Sequence, residues 1–401
     1  MTTKDNIRVP LLDLPKTHEP LAEELTAAFS QVLRSGRFIF GPEVDALEGE
    51  CAEFLGVDHT VAVSSGTDAL LAAMMALDLG PGDDVLCPAH SFFATAGCVA
   101  RLGAKPVFAD ISEASFNSSR DDFEKALSPR CRAIIAVHLY GRCTEMGPIL
   151  DLAKERQLAV IEDAAQAFGA RCDQGLAGTL GDIGCFSFFP TKNLGGFGDG
   201  GLLATRDGDM AERLRRLRNH GETTKYSHAF VGGNFRMDAL QAALLRIKLP
   251  RLNGYNRARR RNAELYEELF LAAGVATVVG DTVAEEHGAR PIVLSPASWP
   301  GHIFHQYMIR IRGEGQRDAL KSFLAEARVQ TEVYYPIPLP LQACFADHGH
   351  QPGDFPIAET AAREVLALPV YPELSIEQVR HVVASTEAFL AGGGVEGRVV
   401  G

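Results

Sequence analysis

Two residues near the middle of the chain, an aspartate and a lysine, have the types and positions that suit a catalytic pair. Asp163 follows the β-branched run at 158–161, which predicts a buried strand. Its carboxylate would therefore lie at the carboxyl end of a strand, where open α/β sheets bind ligands. Lys192 follows a second apolar segment, 184–188, and precedes a glycine-rich loop. The sequence thus predicts an acid and an amine at two neighbouring strand ends.

Such a pair is the minimum set for pyridoxal phosphate (PLP) chemistry. The lysine would carry the cofactor as a Schiff base, and the carboxylate would keep the pyridine nitrogen protonated so that the ring acts as an electron sink. Each residue alone has a simpler explanation, because an acid after a strand is often a helix N-cap and a lysine beside glycines is mostly solvated. The PLP interpretation therefore depends on the rest of the chain.

A third group of residues, Ser65, Gly66 and Thr67, is placed to bind a phosphate. They lie between a strand predicted at 60–63 and an alanine- and leucine-rich helix. Gly66 would let the backbone approach an anion, and the N–H groups of the first helical turn would point at it. The two hydroxyl groups can add hydrogen bonds. The alternative is that Ser65 or Thr67 only caps the helix.

Strand and helix patterns alternate around these residues, as expected of an α/β protein with a mainly parallel sheet covered by helices on both faces. A long basic helix ends near residue 270. This predicts a large PLP-binding domain at 1–269, with an N-terminal helical segment, and a smaller C-terminal α/β domain at 270–401. Strands are predicted at 60–63, 84–87, 106–109, 133–138 and 202–205, and helices at 19–34, 42–55, 119–127, 145–156 and 209–219.

Composition and charge argue against several other classes of protein. The formal net charge of −12 opposes a nucleic-acid partner, which would need a basic face. The eight cysteines include no Cys-x-x-Cys pair, which favours reduced thiols in a cytoplasmic protein. No apolar run is long enough to span a bilayer, so we expect no membrane association. The histidines have no cysteine or acidic partner at ligand spacing, so we predict no metal site.

Several stretches together resemble the PLP-dependent nucleotide-sugar aminotransferases of the DegT/StrS type. The resemblance covers roughly residues 10–375. It implies the PLP-dependent transferase fold type I, with PLP as the cofactor. The matching stretches are 64–70, 91–96, 162–166, 186–193, 198–201, 219–221, 234–237, 240–243 and 335–336.

The resemblance implies roles for four residues around the cofactor ring. Lys192 would hold PLP and, once freed by substrate, would carry the proton between the cofactor carbon and the substrate carbon. Asp163 would pair with the pyridinium nitrogen. Gln166 would contact the ring oxygen, and Phe92 would stack on the ring face.

The resemblance also implies how the phosphate is held. Ser187 would bind it together with Gly66 and Thr67, with the Ser65 hydroxyl beside them. Asn234 would reach the phosphate of the neighbouring subunit's cofactor. The protein would then be a homodimer with shared active sites.

The reaction implied by the resemblance is transfer of an amino group, with L-glutamate as the expected donor, to a nucleotide-linked keto-sugar in amino-sugar biosynthesis. Asp199 favours amination at C3, because relatives that aminate C4 more often have glutamate there. Two departures affect the substrate pocket. Pro340 stands where the family often has histidine, and residues 276–303 look longer than the usual connection.

Other functions stay open at this point. Relatives of this type include proteins first taken for sensory regulators, so the chain could bind PLP without turnover. Amination of a cyclitol or another ketone is also compatible with Lys192. An NAD-dependent oxidoreductase is disfavoured, because the G-x-G-x-x-G match at 196–201 runs into a predicted strand instead of a helix.

Overall fold

The computed structural model describes residues 7–280 and 290–392, and strands and helices alternate through most of this range. The α-helices are α1 Leu14–His18, α2 Ala22–Ser35, α3 Pro42–Leu55, α4 Gly66–Ala76, α5 Ala94–Arg101, α6 Arg120–Ala126, α7 Met146–Arg156, α8 Gly208–Leu217, α9 Ala239–Lys248, α10 Leu252–Ala272, α11 Gln316–Glu326, α12 Pro356–Glu364 and α13 Ile376–Ala391. The strands are β1 His59–Val63, β2 Asp84–Pro88, β3 Lys105–Ala109, β4 Cys131–Val137, β5 Ala159–Asp163, β6 Arg171–Cys172, β7 Gly175–Leu176, β8 Ile183–Ser187, β9 Gly201–Thr205, β10 Glu222–Thr224, β11 Ser227–His228, β12 Ala276–Val278, β13 Ile292–Leu294, β14 Tyr307–Ile311 and β15 Val365–Leu368.

The central sheet has seven strands in the order β1-β9-β8-β5-β4-β2-β3. Neighbours are parallel from β8 to β3, and only β9 runs antiparallel to both of its neighbours, β1 and β8. The prediction of a mainly parallel α/β sheet is therefore confirmed. The glycine-rich loop before β9 enters a strand, as expected, and not a helix.

Side chains on both faces of the central sheet are buried. In β4, Ile135 and Val137 pack into one hydrophobic cluster, whereas Ile134 and Ala136 pack into a second cluster on the opposite face. Because successive side chains of a strand point to opposite faces, both faces must be covered by helices. This explains why the strands read as short continuous apolar runs in the sequence.

A second sheet of four strands, in the order β12-β13-β14-β15, has its own hydrophobic cluster. Val9 belongs to this cluster, and its N–H donates to the Arg328 carbonyl at 3.0 Å. Helix α10 contributes Leu252 to a cluster of the central sheet and Phe270 to the cluster of the second sheet. The division into domains at residue 270 stays a prediction. Within the described part of the chain, no helix is long and apolar enough to cross a membrane.

On the face of β5 that points away from the predicted site, a buried carboxylate links the strand to a neighbouring turn through hydrogen bonds. Glu162 is fully buried and accepts hydrogen bonds from the backbone N–H groups of Gly178, Leu180 and Gly181 at 2.6–2.7 Å. It also accepts one from His138 Nε2 at 2.8 Å, because His138 Nδ1 is already occupied as the acceptor for the Thr144 N–H. Burial alone would raise the pKa of Glu162, but these hydrogen bonds lower it below its ordinary value.

We expect Glu162→Gln to unfold more easily than the wild type. The amide would turn an N–H group toward at least one N–H donor, at a cost of about 2–4 kcal/mol in the free energy of unfolding. Because the folded-state pKa of Glu162 is lowered, its contribution is present at neutral pH and lost as the pH falls through that value. Urea unfolding at pH 7 and at acidic pH measures both effects.

The exposed Glu53→Gln on α3 is the matched control and should change stability little. Equal stability of Glu162→Gln and Glu53→Gln at pH 7 would contradict the structural role of Glu162.

Candidate active site

A cavity of about 450 Å³ opens at the carboxyl ends of β5 and β8, and it brings most of the predicted site together. Asp163 is the last residue of β5, and Ser187 is the last residue of β8. Because the two strands are parallel neighbours, both residues lie at one edge of the sheet. The predicted site residues that line the cavity are Ser65, Gly66, Thr67, Phe92, Asp163, Gln166, Ser187 and Lys192.

Asp163 is buried at the base of this cavity, with 6% of its surface exposed. Its carboxylate accepts a hydrogen bond from the Thr95 hydroxyl at 2.8 Å and one from the Ala165 N–H at 3.2 Å. Burial raises the pKa of Asp163, while these two hydrogen bonds and the nearby Lys192 oppose that rise. A protonated pyridine nitrogen is the kind of partner that would stabilise the ionised form.

Lys192 lies on a tightly folded loop between β8 and β9. Its backbone N–H donates to the Phe189 carbonyl at 2.8 Å, and the Gly196 N–H donates to the Phe188 carbonyl at 2.7 Å. A side chain at Gly195 could not be accommodated, because its Cβ would lie 2.3 Å from the Pro190 carbonyl oxygen. Burial lowers the pKa of Lys192 to about 8, against the smaller opposing effect of Asp163. At pH 7, roughly a tenth of the protein molecules then carry Lys192 as the neutral, nucleophilic amine.

The start of α4 forms a cradle next to Ser187. Ser65 is the N-cap of α4 and accepts a hydrogen bond from the Asp68 N–H at 3.0 Å, so this residue caps the helix and also lines the cavity. The first-turn N–H groups at Gly66 and Thr67 have no acceptor within the helix. A Cβ at Gly66 would lie 2.7 Å from Ser187 Cβ. The missing side chain therefore allows the helix start to meet Ser187, leaving backbone donors beside its hydroxyl for an anion.

Gln166 is held in one orientation by two tyrosines that the sequence interpretation did not connect to it. Its Oε1 accepts from the Tyr140 backbone N–H at 2.6 Å, and its Nε2 donates to the Tyr335 hydroxyl at 3.1 Å. The second Nε2 hydrogen remains available to a ligand. Phe92 is 54% exposed, and its ring centre lies 6.1 Å from that of Tyr335. A flat ligand would meet aromatic surface here.

His305 lines the cavity and was missed as a site residue in the sequence. Its Nδ1 lies 3.1 Å from Asn193 Oδ1. Since Asn193 Nδ2 donates to Asn256 Oδ1 at 2.7 Å, the amide is oriented with its oxygen toward the imidazole, which must donate from Nδ1. Burial, Lys192 and Arg259 hold the pKa of His305 well below its usual range. The pocket thus contains a neutral imidazole close to the lysine.

Asn234 is the predicted site residue that the structure does not bring to this cavity. It is exposed and pairs by its backbone with Asn219. Asp199 does line the cavity, whereas Pro340 is buried and is not one of the lining residues. Most of the long 276–303 segment is described, but residues 281–289 lie outside the described part.

The chain belongs to the DegT/DnrJ/EryC1/StrS aminotransferase family, whose sequence profile matches residues 20–387. It is 41% identical, over 96% of this chain and 99% of the relative, to a UDP-N-acetyl-3-dehydro-alpha-D-glucosamine 3-aminotransferase of Acidithiobacillus ferrooxidans. It is also 43% identical, over 96% and 99% of the two chains, to a protein of Geobacillus stearothermophilus named pleiotropic regulatory protein.

A solved structure supports the fold type and the cofactor. NtdA of Bacillus subtilis, with bound cofactor PMP, matches with a TM-score of 0.87 and 30% identity over 98% of this chain and 87% of that one. The chain is a PLP-dependent aminotransferase of fold type I, and its cofactor is pyridoxal 5′-phosphate. The geometry fits this cofactor, since the cavity combines the Gly66 cradle, a buried carboxylate and an amine of lowered pKa.

We expect Gly66→Ala to bind PLP at least tenfold more weakly than the wild type. The added Cβ would overlap Ser187 and push the helix start away from the phosphate position, so backbone donors would be lost. Titration of the apoprotein with PLP, followed by absorbance, gives the dissociation constant.

Gly49→Ala is the matched control, because a Cβ at this α3 glycine meets nothing within 4 Å. Indistinguishable PLP affinity in the two variants would show that Gly66 does not form part of the phosphate site.

Proposed function

We propose that this aminotransferase moves an amino group from L-glutamate to C3 of a nucleotide-linked keto-sugar in the cytoplasm. The observation that carries this proposal is the single cavity in which the Asp163 carboxylate and the Lys192 amine lie beside the Gly66 cradle. The C3 position is supported by the relative named as a 3-aminotransferase and by Asp199, which lines the cavity.

Each site residue has a role in this proposal. PLP, when bound, supplies an electron sink for the carbon that gains or loses the amino group. Asp163 holds the positive charge of the pyridine nitrogen at the base of the cavity. Lys192 would hold the cofactor through its amine, and its Nζ would take and return the substrate proton. A pKa of about 8 suits both the uptake and the return of that proton, because the neutral and the charged amine are both populated near neutral pH.

The substrate would enter over Phe92, between the loop that carries Lys192 and the segments around His305 and Tyr334. These lining groups offer hydrogen-bond donors and acceptors to a sugar ring. Reaction at C3 requires that the C3 carbonyl, and not its C4 neighbour, come within bonding reach of the cofactor. The length of the side chain at Asp199 would help to set that position.

A regulatory role without turnover is the second candidate, favoured by the relative named pleiotropic regulatory protein. Such a protein would need the cofactor pocket but not an amine able to transfer protons. The lowered pKa of Lys192 and the fixed orientation of Gln166 favour the enzyme.

The test runs the reaction in reverse, since amino-sugar nucleotides are stable substrates. We expect the PLP-loaded protein to form L-glutamate from 2-oxoglutarate and a 3-amino sugar nucleotide, measured by chromatography. The panel contains 3-amino and 4-amino sugars linked to UDP and dTDP, together with an aminocyclitol. Asp163→Asn should lower kcat by about 10²–10⁴-fold, while the exposed control Asp45→Asn should not change it.

The outcomes separate the alternatives. Glutamate formed only from 4-amino sugars would contradict amination at C3. Glutamate formed only from the aminocyclitol would contradict the assignment of a nucleotide-sugar substrate. Bound PLP with no turnover on any compound would favour the regulator.

We also propose that two copies of the chain share their active sites, with Asn234 serving the neighbour's phosphate. Its exposed position outside its own cavity supports this assignment. If it is correct, exchange between Lys192→Ala and Asn234→Ala subunits should form mixed dimers with one native site. Activity should then recover to about a quarter of the wild-type value, since random pairing makes half the dimers mixed and each has one intact site of two.

Native mass spectrometry of differently tagged subunits verifies the exchange. No recovery in a sample that contains the mixed dimer would contradict the shared site. A monomer at assay concentrations would contradict the dimer itself.

A further inference from the structure

A closed ring of hydrogen bonds lies behind the cavity wall, around Tyr140. The backbone N–H of Tyr140 donates to Gln166 Oε1 at 2.6 Å, and Gln166 Nε2 donates to the Tyr335 hydroxyl at 3.1 Å. The Tyr140 hydroxyl in turn donates to the carbonyl of Tyr334, the residue before Tyr335. Gln166, Tyr334 and Tyr335 line the cavity, whereas Tyr140 does not. A tyrosine outside the cavity therefore contacts both a predicted cofactor-binding amide and the aromatic segment 334–335 of the wall.

The neighbours of the Tyr140 hydroxyl fix the direction of its proton. A carbonyl oxygen can only accept, so the single phenol proton points to Tyr334. His90 Nε2 lies 3.0 Å from the same hydroxyl oxygen and must therefore be the donor in that contact. Burial lowers the pKa of His90 to about 4 and raises the pKa of Tyr140 well above its ordinary value, so both side chains are neutral at pH 7. The donors thus run in one direction, from His90 through Tyr140 to Tyr334.

The fold keeps this arrangement at a cost in stability. Tyr140 has a φ of +59°, which lies in the left-handed region that residues other than glycine rarely adopt. His90 Nδ1 is buried and has no hydrogen-bond partner among the described residues. Strained and unpaired groups of this kind concentrate at functional sites. The position of Tyr140 is therefore set by its contacts and not by the preference of its backbone.

The segment that Tyr140 holds reaches the cavity from the second sheet. At its start, an antiparallel bridge joins Glu332 to a strand of that sheet. At its end, the Leu339 N–H donates to the Ala89 carbonyl, just after β2, at 2.8 Å. Between these two points the Tyr334 carbonyl is held by Tyr140. Loss of the hydroxyl would free the backbone at Tyr334 while both ends of the segment stay attached.

We propose that the Tyr140 hydroxyl is a positioning group that holds the Tyr335 phenol where it directs the Gln166 amide toward the cofactor ring. This inference rests on the proposed role of Gln166 as a contact of the ring oxygen. When Tyr335 takes one hydrogen of the planar Gln166 amide, the direction of the other hydrogen is fixed. Without the Tyr140 hydroxyl, the backbone at Tyr334 relaxes, the Tyr335 acceptor moves, and that second hydrogen turns away from the ring.

The first test is Tyr140→Phe in the PLP-loaded protein, since this change removes the hydroxyl and keeps the backbone N–H that binds Gln166. The absorbance spectrum of bound PLP responds to hydrogen bonding at its ring oxygen. We expect the ratio of its two absorbance bands to change at least twofold at constant pH. Tyr266→Phe is the matched control and should keep the wild-type ratio, because the buried Tyr266 hydroxyl has no hydrogen-bond partner in the described part of the chain.

A double variant tests whether Tyr140 acts through Tyr335. Tyr335→Phe removes the acceptor for Gln166 Nε2 itself. Tyr140→Phe combined with Tyr335→Phe should therefore have the spectrum of Tyr335→Phe alone, whereas a general loosening of the fold would add the two changes. Backbone hydrogen exchange at residues 333–337 should also be at least tenfold faster in Tyr140→Phe than in Tyr266→Phe.

A second pair of variants reaches the same hydroxyl from His90 and does not require Tyr140→Phe to fold. His90→Leu removes the donor to the hydroxyl and should shift the spectrum in the same direction by a smaller amount. His90→Gln keeps an N–H donor and should retain the wild-type spectrum. Wild-type spectra in both Tyr140→Phe and His90→Leu, or additive changes in the double variant, would overturn the proposal.

These measurements are independent of turnover, so they separate this inference from the proposed function. Expected spectra in a protein that converts none of the amino sugars would contradict the proposed reaction and leave the role of Tyr140 supported. Glutamate formation as proposed, together with an unchanged spectrum in Tyr140→Phe and His90→Leu, would support the reaction and overturn the role of Tyr140.

Discussion

The structure depends on keeping a buried carboxylate charged at the bottom of the active-site cavity. Burial favours the neutral acid at Asp163 and raises its pKa, while a hydroxyl, one backbone N–H, Lys192 and His138 oppose this. The protein therefore needs a positive partner to complete the site, and the pyridine nitrogen of PLP is one. Parallel strands supply the required rigidity, since β5 is hydrogen-bonded between β4 and β8. Loop residues alone would not hold the acid so firmly.

Two consecutive acids on β5 show how one strand serves both stability and catalysis. Glu162 and Asp163 point to opposite faces because side chains alternate along a strand. Glu162 is satisfied entirely by protein donors and holds the turn at 178–181, whereas Asp163 turns toward the cavity and retains capacity for a ligand. A shift of one residue in the register of β5 would exchange these environments, placing the catalytic acid in the structural network. By fixing the register of β5, the hydrogen bonds around Glu162 therefore also keep Asp163 in the active-site cavity.

The sequence was sufficient to predict the central sheet and most of the residues that line the cavity. Strand ends, glycines and the lysine loop are local patterns, which a sequence displays directly. The meeting of Asp163 and Lys192 followed from one general rule about parallel strands. Contacts between segments that are far apart in the sequence could not be predicted. Thr95 lies 68 residues from Asp163, and Tyr335 lies 169 residues from Gln166. Ser65 shows another limit, since a single serine both caps a helix and borders the cradle. The orientation of His305 required the positions of two asparagines, which no spacing in the sequence indicates.

The attachment of the N-terminal segment to the second sheet has a consequence for how the chain is made. The Leu11 N–H donates to the Gln330 side chain across a separation of 319 residues. At the usual speed of translation, roughly 16–64 s pass between synthesis of the two partners. During that interval the segment around Val9 has no docking surface, whereas all the strands of the central sheet are synthesised before Gln330. The beginning of the described chain is thus among the later parts to reach its place, and the second sheet cannot be completed until β15 has been synthesised.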